Sequence, residues 1–183
     1  MSPDFEKYAY EQLKTVATQA ECGDENAMSH ACLNIVLYSR SHQPWLRMLL
    51  EAAAIPHWFN HDILAALLPD TAITDEMYTG LISLPFVESF KGKGYNVHEA
   101  TRKALRQRLA HTSPETMRLL SGYAAGYFSF YPDDLPERIY HQTVVDPSEA
   151  KVLAHEAKRI WLQTNKPELI HRLHHNVQEL DGF

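Results

Sequence analysis

Cysteine is scarce in this chain, with two in 183 residues. Cys22 and Cys32 are too few to staple a fold, and Cys32 falls in an apolar helical pattern, so both read as reduced thiols of a cytosolic compartment. Long apolar runs are missing too. No stretch is long enough to span a bilayer, and no charged segment followed by an apolar run opens the N-terminus, so the expectation is a cytoplasmic chain without membrane contact. Positive charge is in deficit: the formal net charge of −6 argues against a general affinity for nucleic acid or anionic lipid. A phosphate-cradling GxxxxGK[ST] loop is absent, since Gly92-Lys93-Gly94 lacks the Ser/Thr and the helix that such a loop requires. Low-complexity segments are absent as well, which predicts order everywhere except the ends.

What is present supports a real core. An apolar content of 45% suits one elongated domain or two small ones. The overall charge hides a local reversal: residues 91–118 hold seven Lys and Arg against two acids, a surplus of +5 that leaves −11 for the remainder. Within that region lies the clearest strand signal. Phe86-Val87-Glu88-Ser89-Phe90 and Tyr95-Asn96-Val97 are aromatic and β-branched, and they flank Lys91-Gly92-Lys93-Gly94, whose glycines can adopt positive φ in a tight reversal.

Helices are expected elsewhere. The apolar spacing predicts helices near 5–19 and 25–39, broken at Cys22-Gly23-Asp24, and Met28, Ala31, Cys32, Ile35, Val36 and Tyr38 form the apolar stripe of the second. Pro44 opens a third, Asn60 caps a fourth, and Thr74 caps a fifth led by Asp75 and Glu76. After the hairpin, Glu99 to Ala110 should be helical with Arg102, Lys103, Arg106 and Arg108 mostly outward. Ser113, Leu135-Pro136, Asp146 and Pro167 then open four helices in series, which suggests stacked hairpins of a solenoid or tetratricopeptide-like kind. The fold class is therefore mainly α. An N-terminal helical pair (1–42) is followed by a winged helix with one β-hairpin (43–111) and a C-terminal repeat-like region (112–183).

Candidate chemistry is thin. His57 and His61 are four apart, but the intervening Trp58-Phe59-Asn60 lacks the glutamate of a zinc-protease motif. His171, His174 and His175, with Glu168 one turn back, suit the solvated end of a helix. Ser121 and Ser129 lie in an apolar helix rather than on a strand-to-helix elbow, and Asp133-Asp134 fits a turn. No catalytic residue, metal site or cofactor is expected. The aromatic stripe offers Tyr123, Tyr127 and Phe128, with Tyr140 beyond it, as anchors for a protein partner in a groove between wing and C-terminal hairpins. The alternative is a nucleic-acid-binding regulator in which Lys91, Lys93, Arg102, Lys103 and Arg106 hold phosphates.

Three stretches also resemble a known group: WLRMLLEAAAIPHWFNHDILAALL, LISLPFVESFKGKGYNVHEATRKALRQRL and PERIYHQTVVDP. Together, over roughly residues 45–147, they are similar to the winged helix and the start of the superhelical arm in bacterial signal-transduction ATPases of the NB-ARC and AP-ATPase type. The resemblance implies that Val97-His98-Glu99 matches an apolar-His-Asp motif whose histidine contacts nucleotide phosphate. Glu99 departs from the aspartate, and the missing phosphate loop removes the triphosphate site. What remains implied is a regulatory, protein-binding segment freed from such an ATPase or acting in trans with one.

Overall fold

In the structure, a computed structural model that describes residues 3–21 and 27–180, ten helices and one antiparallel hairpin account for the described residues. The fold is mainly α, as expected. Cys22 and the break expected at Cys22-Gly23-Asp24 lie outside the described residues. Helices α1 (Pro3–Glu21) and α2 (Ala27–Ser39) run antiparallel. Tyr8 stacks on Tyr38 at 4.1 Å between ring centres, and Asn34 donates to Gln12 Oε1 at 2.9 Å. The buried side of α2 differs from the expected stripe: Ala27, Ala31, Leu33 and Leu37 face inward, whereas Met28, Cys32 and Tyr38 are exposed. The reason is that α2 is gripped by two helices, α1 and the sixth helix, so that its inner face is not the one that the simplest helical stripe marks.

Next come α3 (Trp45–Ala53), α4 (His61–Leu67), α5 (Asp75–Ile82) and the hairpin β1 (Val87–Phe90) and β2 (Gly94–Val97). Both expected caps are made, Asn60 Oδ1 accepting from Ile63 N–H at 2.9 Å and Thr74 Oγ1 from Met77 N–H at 3.2 Å. The hairpin register pairs Val87 with Val97 and Phe90 with Gly94. Ahead of α4, Phe59 pairs with Tyr95 of β2, exchanging backbone bonds of 2.7 and 2.8 Å, so a single residue extends the ribbon on its other edge.

Five helices follow: α6 (Glu99–Thr112), α7 (Pro114–Phe128), α8 (Leu135–Val145), α9 (Pro147–Gln163) and α10 (Pro167–Gln178), with a 3-10 turn at Pro132–Asp134. Asp146 caps α9 through two backbone N–H groups at 2.9 and 3.1 Å, but Ser113 makes no side-chain cap to α7. Each helix from α6 onward packs on its sequence neighbour, as in a helical repeat, and α10 in addition returns to α8. Two apolar cores result. The larger is built on Leu49, Leu50, Phe59, Leu64, Leu81, Leu105 and Phe128, and the smaller on Ile139, Ala157, Trp161, Leu169 and Leu173.

The two hairpin glycines are not equivalent. Gly92 (φ 78°) faces open space, whereas a Cβ on Gly94 (φ 119°) would sit 2.4 Å from Phe59 O, inside the backbone pairing that ties the ribbon to the core. Gly94→Ala is therefore expected to lower unfolding free energy by about 3 kcal/mol or more, and Gly92→Ala by about 1 kcal/mol, the cost of left-handed backbone alone. Urea unfolding of the two variants checks the ranking.

Candidate functional site

Between the two apolar cores lies a seam of buried charge. On α6, Arg102 and Arg106 are one turn apart on the face that points inward, 5% and 2% exposed, so the outward orientation expected for them is corrected. On α8, Glu137, Tyr140 and His141 are all buried. His57 enters from the segment between α3 and α4, while Asn176 and Glu179 arrive on and just after α10.

Glu137 is the hub. Its carboxylate accepts from the His57 backbone N–H at 2.9 Å, contacts His57 Nδ1 at 2.8 and 2.9 Å, and accepts from Asn176 Nδ2 at 3.1 Å. A buried carboxylate without such partners would be unfavourable by several kcal/mol. Burial alone would raise its pKa, yet the His57 charge and the contacts of both imidazoles hold it well below the usual carboxylate range. Burial also disfavours the His57 cation, but Glu137 and Glu179 outweigh that, and its pKa is raised. His141 goes the other way. Its Nε2 is 3.4 Å from Glu137 Oε1, off the line of a good hydrogen bond, and burial lowers its pKa so that the neutral ring is favoured.

Glu179 forms the second acidic point. It accepts from Arg102 Nη2 and lies 3.3 Å from His57 Nε2 and 3.9 Å from Arg106 Nη1. Burial would raise it, but His57 and Arg102 bring it down to about 2. Burial and the adjacent Arg102 charge lower Arg106 to about 9, still cationic at neutral pH, and its guanidinium lies 4.7 Å from the centre of the Tyr140 ring. A satellite pair ties the hairpin tip down: Lys93 donates to Asp134 and lies 4.4 Å over Trp58, and Arg172 reaches Asp134 at 3.4 Å.

Above this seam opens a cleft of about 300 Å³. Trp58, Phe90, Lys93 and Asn96 form the hairpin wall, Asp134, Arg172 and His175 the opposite wall, with His57, Arg102, Glu137 and Glu179 toward the base. A second depression of about 270 Å³ adjoins it, sharing Glu99, Arg102, His175 and Glu179 and adding Lys103 and Arg106. The side chains at the base are held by one another, so what the cleft offers is a pre-formed mixed surface, aromatic on one side and charged on the other.

Several expected site residues lie elsewhere. Phe128 is 1% exposed, packed between Trp58 and the His141 ring, and Tyr140 is wholly buried 4.5 Å from His57, so neither ring is presented to a partner. Tyr127 is half-buried and stacks on Tyr131, and Tyr123 is on the outer face of α7; none of the four lines the cleft. Of the five cations proposed to hold phosphate, Arg102 and Arg106 are buried beside Glu179 and Lys93 is paired with Asp134, which leaves Lys91 and Lys103 exposed. His98 is exposed at the start of α6, makes no side-chain cap, and its N–H donates to Phe86 O at 2.8 Å. His57 and His61 diverge, the latter reaching Ile73 O at 3.2 Å. Among the described residues no cluster of three or more His, Cys, Asp or Glu is arranged to hold a metal ion. The members that sequence reasoning missed are Glu137, His141, Asn176 and Glu179, and His57 was weighed only as a zinc ligand. One signal was available: Glu137 and His141 sit one turn apart beside Ile139 and Tyr140, at positions where a core side chain was due.

No protein-family model matches the chain, and no curated protein or solved structure matches it either.

Two outcomes follow from the seam. Glu137→Ala strands His57 and Asn176 and should lower unfolding free energy by about 3–5 kcal/mol, against less than about 0.5 kcal/mol for the exposed Glu156→Ala. The pH dependence has a definite sign. A carboxylate depressed in the folded state stabilises above its ordinary value and loses that contribution as pH falls through the folded value. The deficit of Glu179→Gln relative to the parent should therefore be full above pH 4.5 and shrink toward pH 2, which urea midpoints across that range would show.

Proposed function

We propose that the chain is a non-catalytic protein-interaction module in which residues 43–111 form a winged helix and the cleft between its wing and the C-terminal helices is the working surface. The order helix, bridge residue, helix, helix, hairpin supports the winged-helix reading, because Phe59 stands where a short first strand would pair with the last strand of the wing. The observation that carries the functional reading is the cleft itself: Phe90, 40% exposed, and Trp58 face a charged wall above a base fixed by buried ion pairs. Such a surface suits a peptide segment that brings one apolar side chain and groups of both charges, since aromatic anchors in pre-formed pockets supply much of the energy of protein contacts. A regulatory role toward an ATPase is the reading that the family resemblance favours. Cys32, an exposed free thiol, suits a reducing cytoplasm.

Contact with nucleic acid is the less favoured alternative. Asp75 and Glu76 are exposed at the start of α5, the helix that would enter a groove, and they would face phosphates. Capture from host extract on the immobilised chain should retain a protein that Phe90→Asp releases. Duplex DNA added at about 50 and 200 mM salt should leave tryptophan fluorescence unchanged. A DNA response that weakens steeply with salt and disappears in Lys91→Glu with Lys103→Glu would replace the proposal with the nucleic-acid reading.

A further inference from the structure

The second depression, beside the cleft, lies between α6 and the end of α10. On the α6 side, Arg102 and Lys103 stand four and three residues before Arg106, so the three share one patch of the helix. Among the described residues that line the depression, these three cations meet two carboxylates, Glu99 and Glu179, which leaves a surplus of one positive charge. Both arginines are buried, whereas Lys103 and Glu99 are exposed at the rim. Glu179 is shared too widely to neutralise the buried pair. Its Oε2 accepts from Arg102, lies 3.3 Å from His57 Nε2 and lies 3.9 Å from Arg106 Nη1, so one carboxylate is divided among three cationic groups. Burial and the Arg102 charge outweigh what Glu179 and Glu137 return to Arg106, and its pKa falls to about 9. A further negative charge in the depression would offset that cost.

Size and charge narrow the ligand. At about 270 Å³ the depression falls below the range of about 300–1,000 Å³ usual for whole cofactors and drug-sized molecules, so it takes a small group. A phosphate group brings about −1.5 to −2 at neutral pH, more than the surplus, and Glu99 and Glu179 would repel the excess. A carboxylate brings a single charge, and its two oxygens match the fork of a guanidinium. We infer that the second depression is a carboxylate site, with Arg106 at its base and Lys103 at its rim. The source of the carboxylate rests on the peptide reading of the cleft: because Arg102 and Glu179 border both hollows, a segment lying in the cleft can place an Asp or Glu side chain here.

Acetate is the probe for the site itself. Amide NMR spectra of the full chain are followed at about pH 7.5, where phosphate is mostly dianionic, as sodium chloride is exchanged for sodium acetate. Ionic strength is held at about 0.1 M so that screening stays constant. Amides of α6 and α10 around Lys103 and Gln178 should shift along one saturating curve, with a midpoint of about 1–50 mM for so small a ligand. Lys103→Glu, a change at an exposed position, should raise that midpoint about fivefold or more, and Glu99→Gln should lower it. Phosphate at the same ionic strength should bind more weakly than acetate. A blocked peptide carrying one leucine and one glutamate should bind about tenfold or more tightly than acetate, and Phe90→Asp should remove that gain while leaving the acetate midpoint where it was. No saturable shift, a midpoint indifferent to both rim variants, or phosphate binding the tighter would each overturn the inference. If acetate binds as stated and the peptide gains nothing, the carboxylate site stands with a free acid as its ligand, and the peptide reading of the cleft falls instead.

Discussion

The bond between Glu137 and His57 is what the rest of the molecule depends on. One side chain belongs to the C-terminal helices and the other to the segment that leads into α4, eighty positions earlier in the chain. Two apolar cores meet here, and the meeting surface is ionic where more hydrocarbon would have been simpler. Buried ion pairs contribute little net stability compared with packed apolar groups, but pulling one apart strands a charge and costs several kcal/mol. The seam thus fixes the angle between the hairpin side and the C-terminal helices more firmly than it strengthens the fold. Glu179 repeats the device at the end of α10, and Asp134 repeats it at the hairpin tip.

A fixed angle is what makes the cleft a feature rather than an accident of packing. Its walls belong to elements far apart in sequence, the hairpin on one side and α10 with the 3-10 turn on the other. Arg102 pairs with Glu179 while Glu137 pairs with His57 and Asn176, so these groups are already ordered and the cost of a contact made there is lowered. Glu137 is buried and its pKa is held low by the His57 charge and the contacts of both imidazoles, while burial lowers that of His141.

Local chemistry was legible in the sequence and long-range pairing was not. Asn60, Thr74 and Asp146 cap helices as their positions require, and the glycine pair places the reversal of the hairpin, because caps and turns are decided by residues within a few positions of one another. Arg102 and Arg106 show the opposite case. By composition an arginine-rich helix faces water, and the reason it does not here is Glu179, seventy-odd residues later, which no local pattern signals. The same reasoning error, treating a side chain's surroundings as set by its own helix, assigned Phe128 and Tyr140 to a partner when they belong to the interior. The basic surplus of residues 91–118 then lost part of its force as a phosphate-binding argument, since Lys93, Arg102, Arg106 and Arg108 face acids of the same chain.

The central claim is that the ionic seam holds α10 to the segment around His57 and to α6 as one unit, and amide hydrogen exchange under native conditions tests it most directly. In the parent chain, amides of α6 and α10 should open with the same free energy. Glu137→Gln should lower protection of α10 and of the segment around His57 together, leaving α3 and α5 as they were. If α10 instead exchanges early and independently in the parent, and Glu137→Gln changes nothing there, the seam does not join the two halves and the cleft is not a pre-formed site.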